Sequence, residues 1–210
     1  MYDLDEQQQL EIIKAWLRRY GNWVAAAVAV AAIAGAAFMG YHRYQHGQEE
    51  KASTLYAKLT EMGKEPDVKK IRLAASNIME SFPKTPYAAR AALMVAGRDF
   101  DAGEMDDATI QLQWVLDHSK EPELKDVARL RLARVLFDQK KYADAIAALD
   151  APHGDAFDGL YSDLKGDIFM AEGKRDQARS AYLLALNKID RGSPYRNLVS
   201  VKLDSAGGDQ

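Results

Sequence analysis

The chain contains no cysteine. Disulfides, thiolate nucleophiles and Cys-ligated metal centres are thereby excluded. A cysteine-free chain avoids mispairing in an oxidising compartment, although many chains of reducing compartments lack cysteine too. Runs of basic residues are also missing, and the net charge is −3. Binding to a phosphate backbone needs clustered Lys and Arg, so nucleic acid is not expected as a partner. No stretch alternates polar and apolar residues for a useful length, and no Asn-Gly pair marks a hairpin, so strands are not expected. There is no phosphate-cradling glycine loop, no nucleophile elbow and no metalloprotease helix motif.

What remains of catalytic potential is thin. His42 and His46 are four residues apart and would share a helix face, but no third metal ligand accompanies them. They read as a pair at the end of an apolar segment. The carboxylate pairs Asp99/Asp101 and Asp106/Asp107 fall at expected helix ends and turns, where Asp favours the dipole or open water. No catalytic residue, metal or cofactor is assigned, and the chain does not read as an enzyme.

Charge is absent from one place above all. Residues 20–42, YGNWVAAAVAVAAIAGAAFMGYH, hold no Lys, Arg, Asp or Glu. A helix needs about 20 apolar residues to cross a bilayer core, and it satisfies its own backbone there. Tyr20 and Trp23 at one end, and Tyr41 and Tyr44 at the other, suit the headgroup level. A buried soluble helix and a cleaved signal peptide are the competing readings. Against cleavage, the leader carries Asp3, Asp5, Glu6 and Glu11, and the apolar run exceeds the usual ~7–15 residues. Lys14, Arg18 and Arg19 precede the run, while Arg43, Lys51 and Lys58 follow it. That slight bias favours a cytoplasmic N-terminus. Small residues four apart, Ala31/Gly35 and Ala36/Gly40, would admit a neighbouring transmembrane helix. Residues 1–19 form a short amphipathic segment with Leu10, Ile13 and Leu17 at helical spacing.

Beyond the span the periodicity is helical. Leu55, Leu59 and Met62 share a face up to Gly63 and Pro66, with Pro66 expected in the first turn of the next helix. That helix carries Val68, Ile71, Ala75, Ile78 and Phe82 and runs to Pro83. Three segments then repeat one another: LMVAGRDFDAGEMDDATIQL, LRLARVLFDQKKYADAIAAL and SDLKGDIFMAEGKRDQARSAYL. Each has a small residue in its first helix (Ala96, Ala133, Gly166) and a tight connection (Gly103, Lys140, Gly173). Each then has a second small residue (Ala108, Ala145, Ala178) and a large apolar one a turn later (Leu112, Leu149, Tyr182). Spacing of roughly 33 to 37 residues is that of two-helix repeats. Antiparallel helices cross closely only where side chains are small, and a lone pair cannot bury its own apolar face, so pairs stack.

This pattern resembles the tetratricopeptide repeat, although Ala92, Arg129 and Ser162 stand where a bulky residue is usual. The expected fold class is all-α, an N-terminal transmembrane helix followed by a tetratricopeptide-like helical-repeat solenoid. The expected divisions are a cytoplasmic segment at 1–19, the span at 20–42, repeats at 43–204 and a disordered tail at 205–210. The last repeat residues, around 194–204, read as a capping helix. Counting from the small anchors, the concave face includes Arg90, Leu93, Phe100, Leu130, Arg134, Phe137, Asp167 and Met170. Phe100, Phe137 and Met170 hold one position in successive repeats, so a row of apolar groups flanked by Arg could hold an extended peptide or a helix. The other reading buries them in the core.

The opening, YDLDEQQQLEIIKAWLRRYGNW, is similar to that of the YfgM family, the ancillary subunits of the SecYEG translocon. There an acidic start runs into K-x-W-W/L-x-x-Y/N-G-x-x, matched here by Lys14, Trp16, Tyr20 and Gly21. The resemblance extends over essentially the whole chain. It implies a single-pass inner-membrane protein with its repeats in the periplasm. It also implies association with SecYEG and the periplasmic chaperone PpiD in assisting protein export. A link from the cytoplasmic segment to the Rcs response regulator belongs to the same family picture. From the residues alone, a cell-envelope assembly or division scaffold, or a regulator acting through residues 1–19, stays open.

Overall fold

The computed structural model describes residues 3–63 and 67–207, with side chains described at Lys14 and from Trp16 onward. The side chains of Leu10 and Ile13, together with Pro66 and residues 208–210, carry expectations that lie outside the described residues. The described residues are helical with no strand. The chain divides into two compact units, residues 1–48 and 49–210, with the boundary inside the first helix.

Helix α1 runs from Asp3 to Met62. Its apolar part lies within Trp16–Met62 and reaches a mean hydropathy of 2.0, and none of that window is buried by protein. Trp23, Val30, Ile33, Phe38 and Met39 are all exposed. Such a surface in water forgoes about 25 cal/mol for each Å² of apolar area, which is the physical argument for a lipid environment. Gly35 and Gly40 have nothing within 4 Å of where a Cβ would stand. At about 100° per residue, Ala31 and Gly35 lie roughly 40° apart, as do Ala36 and Gly40, but the two pairs are roughly 140° apart. A single partner helix can therefore meet one pair or the other, not both.

In the second unit, the end of α1 is followed by α2 (Val68–Ser81), α3 (Pro86–Asp101), α4 (Met105–His118) and α5 (Pro122–Asp138). Then come α6 (Tyr142–Asp150), a 3-10 turn (Asp155–Phe157), α7 (Asp158–Ala171), α8 (Arg175–Lys188) and α9 (Tyr195–Ser205). Helix starts use proline where its missing N–H is harmless, at Pro86 and Pro122. Asp67 caps α2 by accepting from the Lys70 N–H at 3.3 Å.

The turns inside the three central pairs share one geometry. Gly103, Lys140 and Gly173 all have positive φ, of 78°, 60° and 76°. In each, the residue after the turn donates its N–H back to the fifth residue before it: Glu104 to Asp99, Lys141 to Leu136, Lys174 to Phe169, all at 2.8 Å. This is the Schellman closure. The same Glu104, Lys141 and Lys174 then begin the second helix. A single left-handed residue thus ends one helix and opens the next.

The small anchors lie where the helices cross. Ala108, Ala133, Ala145 and Ala178 have no exposure, and Gly166 is buried. A Cβ on Gly166 would come 2.3 Å from Tyr182 Cε1, and one on Gly159 would come 2.7 Å from Ile189 Cγ1. Core clusters bridge successive pairs: Leu59, Ile71, Ile78 and Val95 join α1, α2 and α3. Ala96, Leu112, Val115 and Leu132 join α3, α4 and α5. Ala133, Leu149, Tyr161 and Ile168 join α5, α6 and α7. Helix α9 closes the stack through Val199 and Ala206 against Tyr182 and Ala185. Ser205 is still helical and Ala206 is buried, so packed chain reaches into the segment expected to be a tail.

Two tests follow from the turns and crossings. Lys140→Gly should raise stability by about 1 kcal/mol, the cost of a side chain in the left-handed region, and Gly103→Ala or Gly173→Ala should lower it similarly. Urea unfolding followed by circular dichroism reads both, and equal stability of all four proteins would refute the turn argument. Gly166→Ala should cost about 1–3 kcal/mol through overpacking against Tyr182. Tyr182→Leu in the same chain should recover part of that loss, whereas strictly additive losses would show that the two residues do not compete for space.

Candidate functional site

The first helices of successive pairs, α3, α5 and α7, lie side by side, and two cavities open between them. The first, about 260 Å³, is lined by Ala96, Gly97, Phe100 and Asp101 of α3, Leu112 of α4, and Arg131, Arg134 and Val135 of α5. The second, also about 260 Å³, lies between Leu130, Arg131 and Arg134 of α5 and Leu160, Asp163, Leu164 and Asp167 of α7, with Tyr195 of α9 at its end. Arg131 and Arg134 belong to both, so the cavities form one groove with two guanidinium groups at its middle.

Four of the eight residues expected on the inner face line this groove: Phe100, Leu130, Arg134 and Asp167. The others lie elsewhere. Leu93 is buried in the α3–α5 core. Arg90 pairs with Glu121 at 3.3 Å, with its guanidinium 5.7 Å from the Tyr87 ring centre. Phe137 packs in the α5–α7 cluster beside Tyr142, and Met170 packs against the α8–α9 cluster. Counting from the anchors missed Gly97, Arg131, Leu160, Asp163 and Tyr195. Arg131 is one helix position away from Leu130, and Tyr195 enters only because α9 folds back along the stack.

The far end of the groove is tied by a polar network. Lys202 of α9 donates to Asp163 at 2.7 and 2.9 Å and to Asp167 at 2.9 Å. The Tyr195 hydroxyl donates to Asp163, and the Tyr182 hydroxyl donates to Asp167 at 2.9 Å. Burial, reinforced by those carboxylates, pushes both phenols above the usual tyrosine range and keeps them neutral donors. Asp163 thus accepts from Lys202 and Tyr195, and Asp167 from Lys202 and Tyr182. Arg134, half-exposed, stands 3.6 Å from Asp167 and 3.7 Å from Asp138.

The carboxylate pairs serve the fold. Asp99 is fully buried, contrary to the expectation of a solvated helix end. Its Oδ1 accepts from Arg72 of α2 at 2.6 Å, and the same guanidinium also bonds Glu104 and lies 3.2 Å from Asp107. Burial raises the Asp99 carboxyl above its ordinary range, with Arg72 opposing that rise. Asp106, at the start of α4, accepts from Gln139, at the end of α5, at 3.1 Å. Asp126, also buried, holds the loop after α6 by accepting from Arg129 at 2.9 Å and from the Gly154 N–H at 3.0 Å. The rings of His42 and His46 lie 5.7 Å apart, and no group of three metal-ligating side chains is found among the described residues.

Comparison with known proteins agrees with this architecture. Residues 14–208 match the family described as a tetratricopeptide repeat-like domain. The chain is 36% identical to a Neisseria gonorrhoeae protein named ancillary SecYEG translocon subunit, over 96% of this chain and 97% of that protein. A protein of the same name from Escherichia coli is 29% identical over 85% of both chains. One from Haemophilus influenzae is 26% identical over 86% of this chain and 88% of its own. No solved structure matches. With the apolar helix, the stacked pairs and the end-to-end likeness all present, the chain belongs to the YfgM family, the family of the ancillary SecYEG translocon subunits, and carries its tetratricopeptide repeat-like domain.

Proposed function

We propose that the chain is an accessory subunit of the SecYEG translocon, a membrane-tethered protein-binding scaffold without catalytic activity. The observation that carries this reading is the extent of the likeness to the gonococcal protein, which runs over 96% of this chain and takes in the apolar helix as well as the repeats. The mechanism is tethering. The span fixes the repeats beside the channel in the inner membrane and raises the effective concentration of whatever they hold there. The N-terminus lies in the cytoplasm and the repeats in the periplasm. A periplasmic chaperone of the PpiD kind is the partner of the repeats, and residues 1–19 offer a site for the Rcs response regulator. Support for these finer points is the family resemblance of the opening motif and the Lys/Arg bias around the span.

Tagged full-length protein, solubilised from membranes in mild detergent, should retain SecY, SecE and SecG. Replacing residues 20–42 with an unrelated apolar helix tests whether the span itself makes the contact. Absence of all three subunits from the native protein, with division or outer-membrane assembly components in their place, would refute the translocon reading. Protease added to intact spheroplasts should digest the repeats and spare a cytoplasmic control. Survival of the repeats until lysis would reverse the orientation.

A further inference from the structure

Pro152 ends α6 early. The residue before a proline is pushed out of the helical region, and Ala151 is extended, with ψ of 148°. Helix α6 therefore has 9 residues where α4 and α8 have 14 each. Residues 151–157 then join the second pair to the third as a loop and a 3-10 turn. Side chains hold this connection where helix bonds do not. Asp126 accepts from the Gly154 N–H at 3.0 Å, and Arg129 donates to the Pro152 carbonyl at 3.3 Å. Between those two positions stands His153, mostly buried. Its ring stacks on Tyr161 of α7, with centroids 3.9 Å apart and planes inclined by 22°.

Both nitrogens of that ring face oxygens that only accept. Nδ1 lies 2.9 Å from the Ala151 carbonyl, and Nε2 lies 3.2 Å from Asp158 Oδ1. Neutral imidazole has one N–H and one lone pair, so it serves one of these acceptors and sets its lone pair against the other. The imidazolium serves both. The other carboxylate oxygen, Asp158 Oδ2, accepts from Lys188 of α8 at 2.6 Å. That lysine, with His153 adding to it, holds the Asp158 carboxyl below the usual range. Burial raises the Tyr161 phenol above its ordinary range, and it stays a neutral donor to the Asp126 carbonyl at 2.9 Å. Around the connection, Arg129, Lys165 and Lys188 pair with Asp126, Asp150 and Asp158. Asp155 of the 3-10 turn adds a further negative charge, so a charged His153 also balances the local count.

We propose that His153 is a proton-operated latch on the connection between the second and third helix pairs: the imidazolium ties the loop to the start of α7, and loss of its proton releases it. Imidazole is the side chain that changes charge near neutral pH. The closed loop holds a proton that the open loop gives up as pH rises through that range. The contribution of the latch is therefore present on the acid side and lost on the alkaline side. Release frees residues 151–154 and leaves the helices themselves intact.

The test follows amide hydrogen exchange in the full chain, isotope-labelled and held in detergent micelles, by NMR. Spectra are compared at about pH 6 and about pH 8, either side of the ordinary imidazole value, with the intrinsic change in exchange rate divided out. The Gly154 amide reports on the loop. The Glu104 amide, bonded to the Asp99 carbonyl at 2.8 Å in the α3–α4 turn, reports that the stack is folded in each protein. Protection of Gly154 should fall about tenfold or more at the higher pH, the loss of one hydrogen bond to a charged group, while Glu104 stays constant. His153→Phe keeps a ring on Tyr161 without a donor, and should show the lower protection at both pH values. Asp158→Asn should abolish the fall, because its amide can donate to the neutral Nε2 while its oxygen still faces Lys188. Equal protection of Gly154 at the two pH values in the native chain, or a parallel fall at Glu104, would overturn the proposal. So would the native pH dependence persisting in either variant.

Discussion

Everything in the second unit depends on how closely two helices can cross. At Ala96, Ala133 and Gly166 in the first helices, and at Ala108, Ala145 and Ala178 in the second, there is little or nothing beyond the backbone to keep the axes apart. Close crossing brings Leu112, Leu149 and Tyr182 into the space between one pair and the next. The core is therefore a series of small clusters between layers, not one central mass. Each layer is stable because it is covered on both sides. The first layer is covered by the end of α1 and the last by α9. The left-handed turns at Gly103, Lys140 and Gly173 serve the same constraint, since they reverse the chain within one residue and keep the paired helices in register.

The last layer is covered differently from the others. Helix α9 brings only Val199 and Ala206 fully into the core, and leaves Leu198 and Val201 exposed. Its remaining hold on α7 is polar, through Lys202 and Tyr195 to Asp163 and Asp167. Buried carboxylates are costly unless paired, so this network carries more weight than a surface salt bridge. The same arrangement sets the charge of the groove. Lys202 of α9 meets Asp163 and Asp167 from one side, and Arg134 of α5 stands 3.6 Å from Asp167.

Local chemistry made the helical elements legible, and long-range chemistry hid the rest. Small residues and turn positions recur at a fixed interval, so the pairs and their connections could be located from the letters alone. Lys140 was placed at a turn by alignment with two glycines, and its φ of 60° is the conformation those glycines adopt at their turns. The groove was harder. Phe100 and Phe137 occupy one repeat position, yet Phe137 turns toward Tyr142 and the α5–α7 cluster. Periodicity gives a direction on a helix to within a residue, and Leu130 and Arg131 straddle that uncertainty. Asp99 read as solvated because its partner, Arg72, lies 27 residues earlier on another helix. Tyr195 could not be placed at the groove without knowing that α9 returns along α7.

One consequence of layered packing concerns time. Among the described residues, the side-chain bonds with the greatest separation include Lys202 to Asp163 and Arg131 to Leu93, and they join positions 39 and 38 residues apart. No pairing of distant chain ends must be found before structure is rewarded, so the entropy lost in closing each loop is modest. Short-range contacts of this kind accompany fast folding. The domain can consolidate pair by pair in the order in which its chain becomes available, with each finished layer serving as the template for the next.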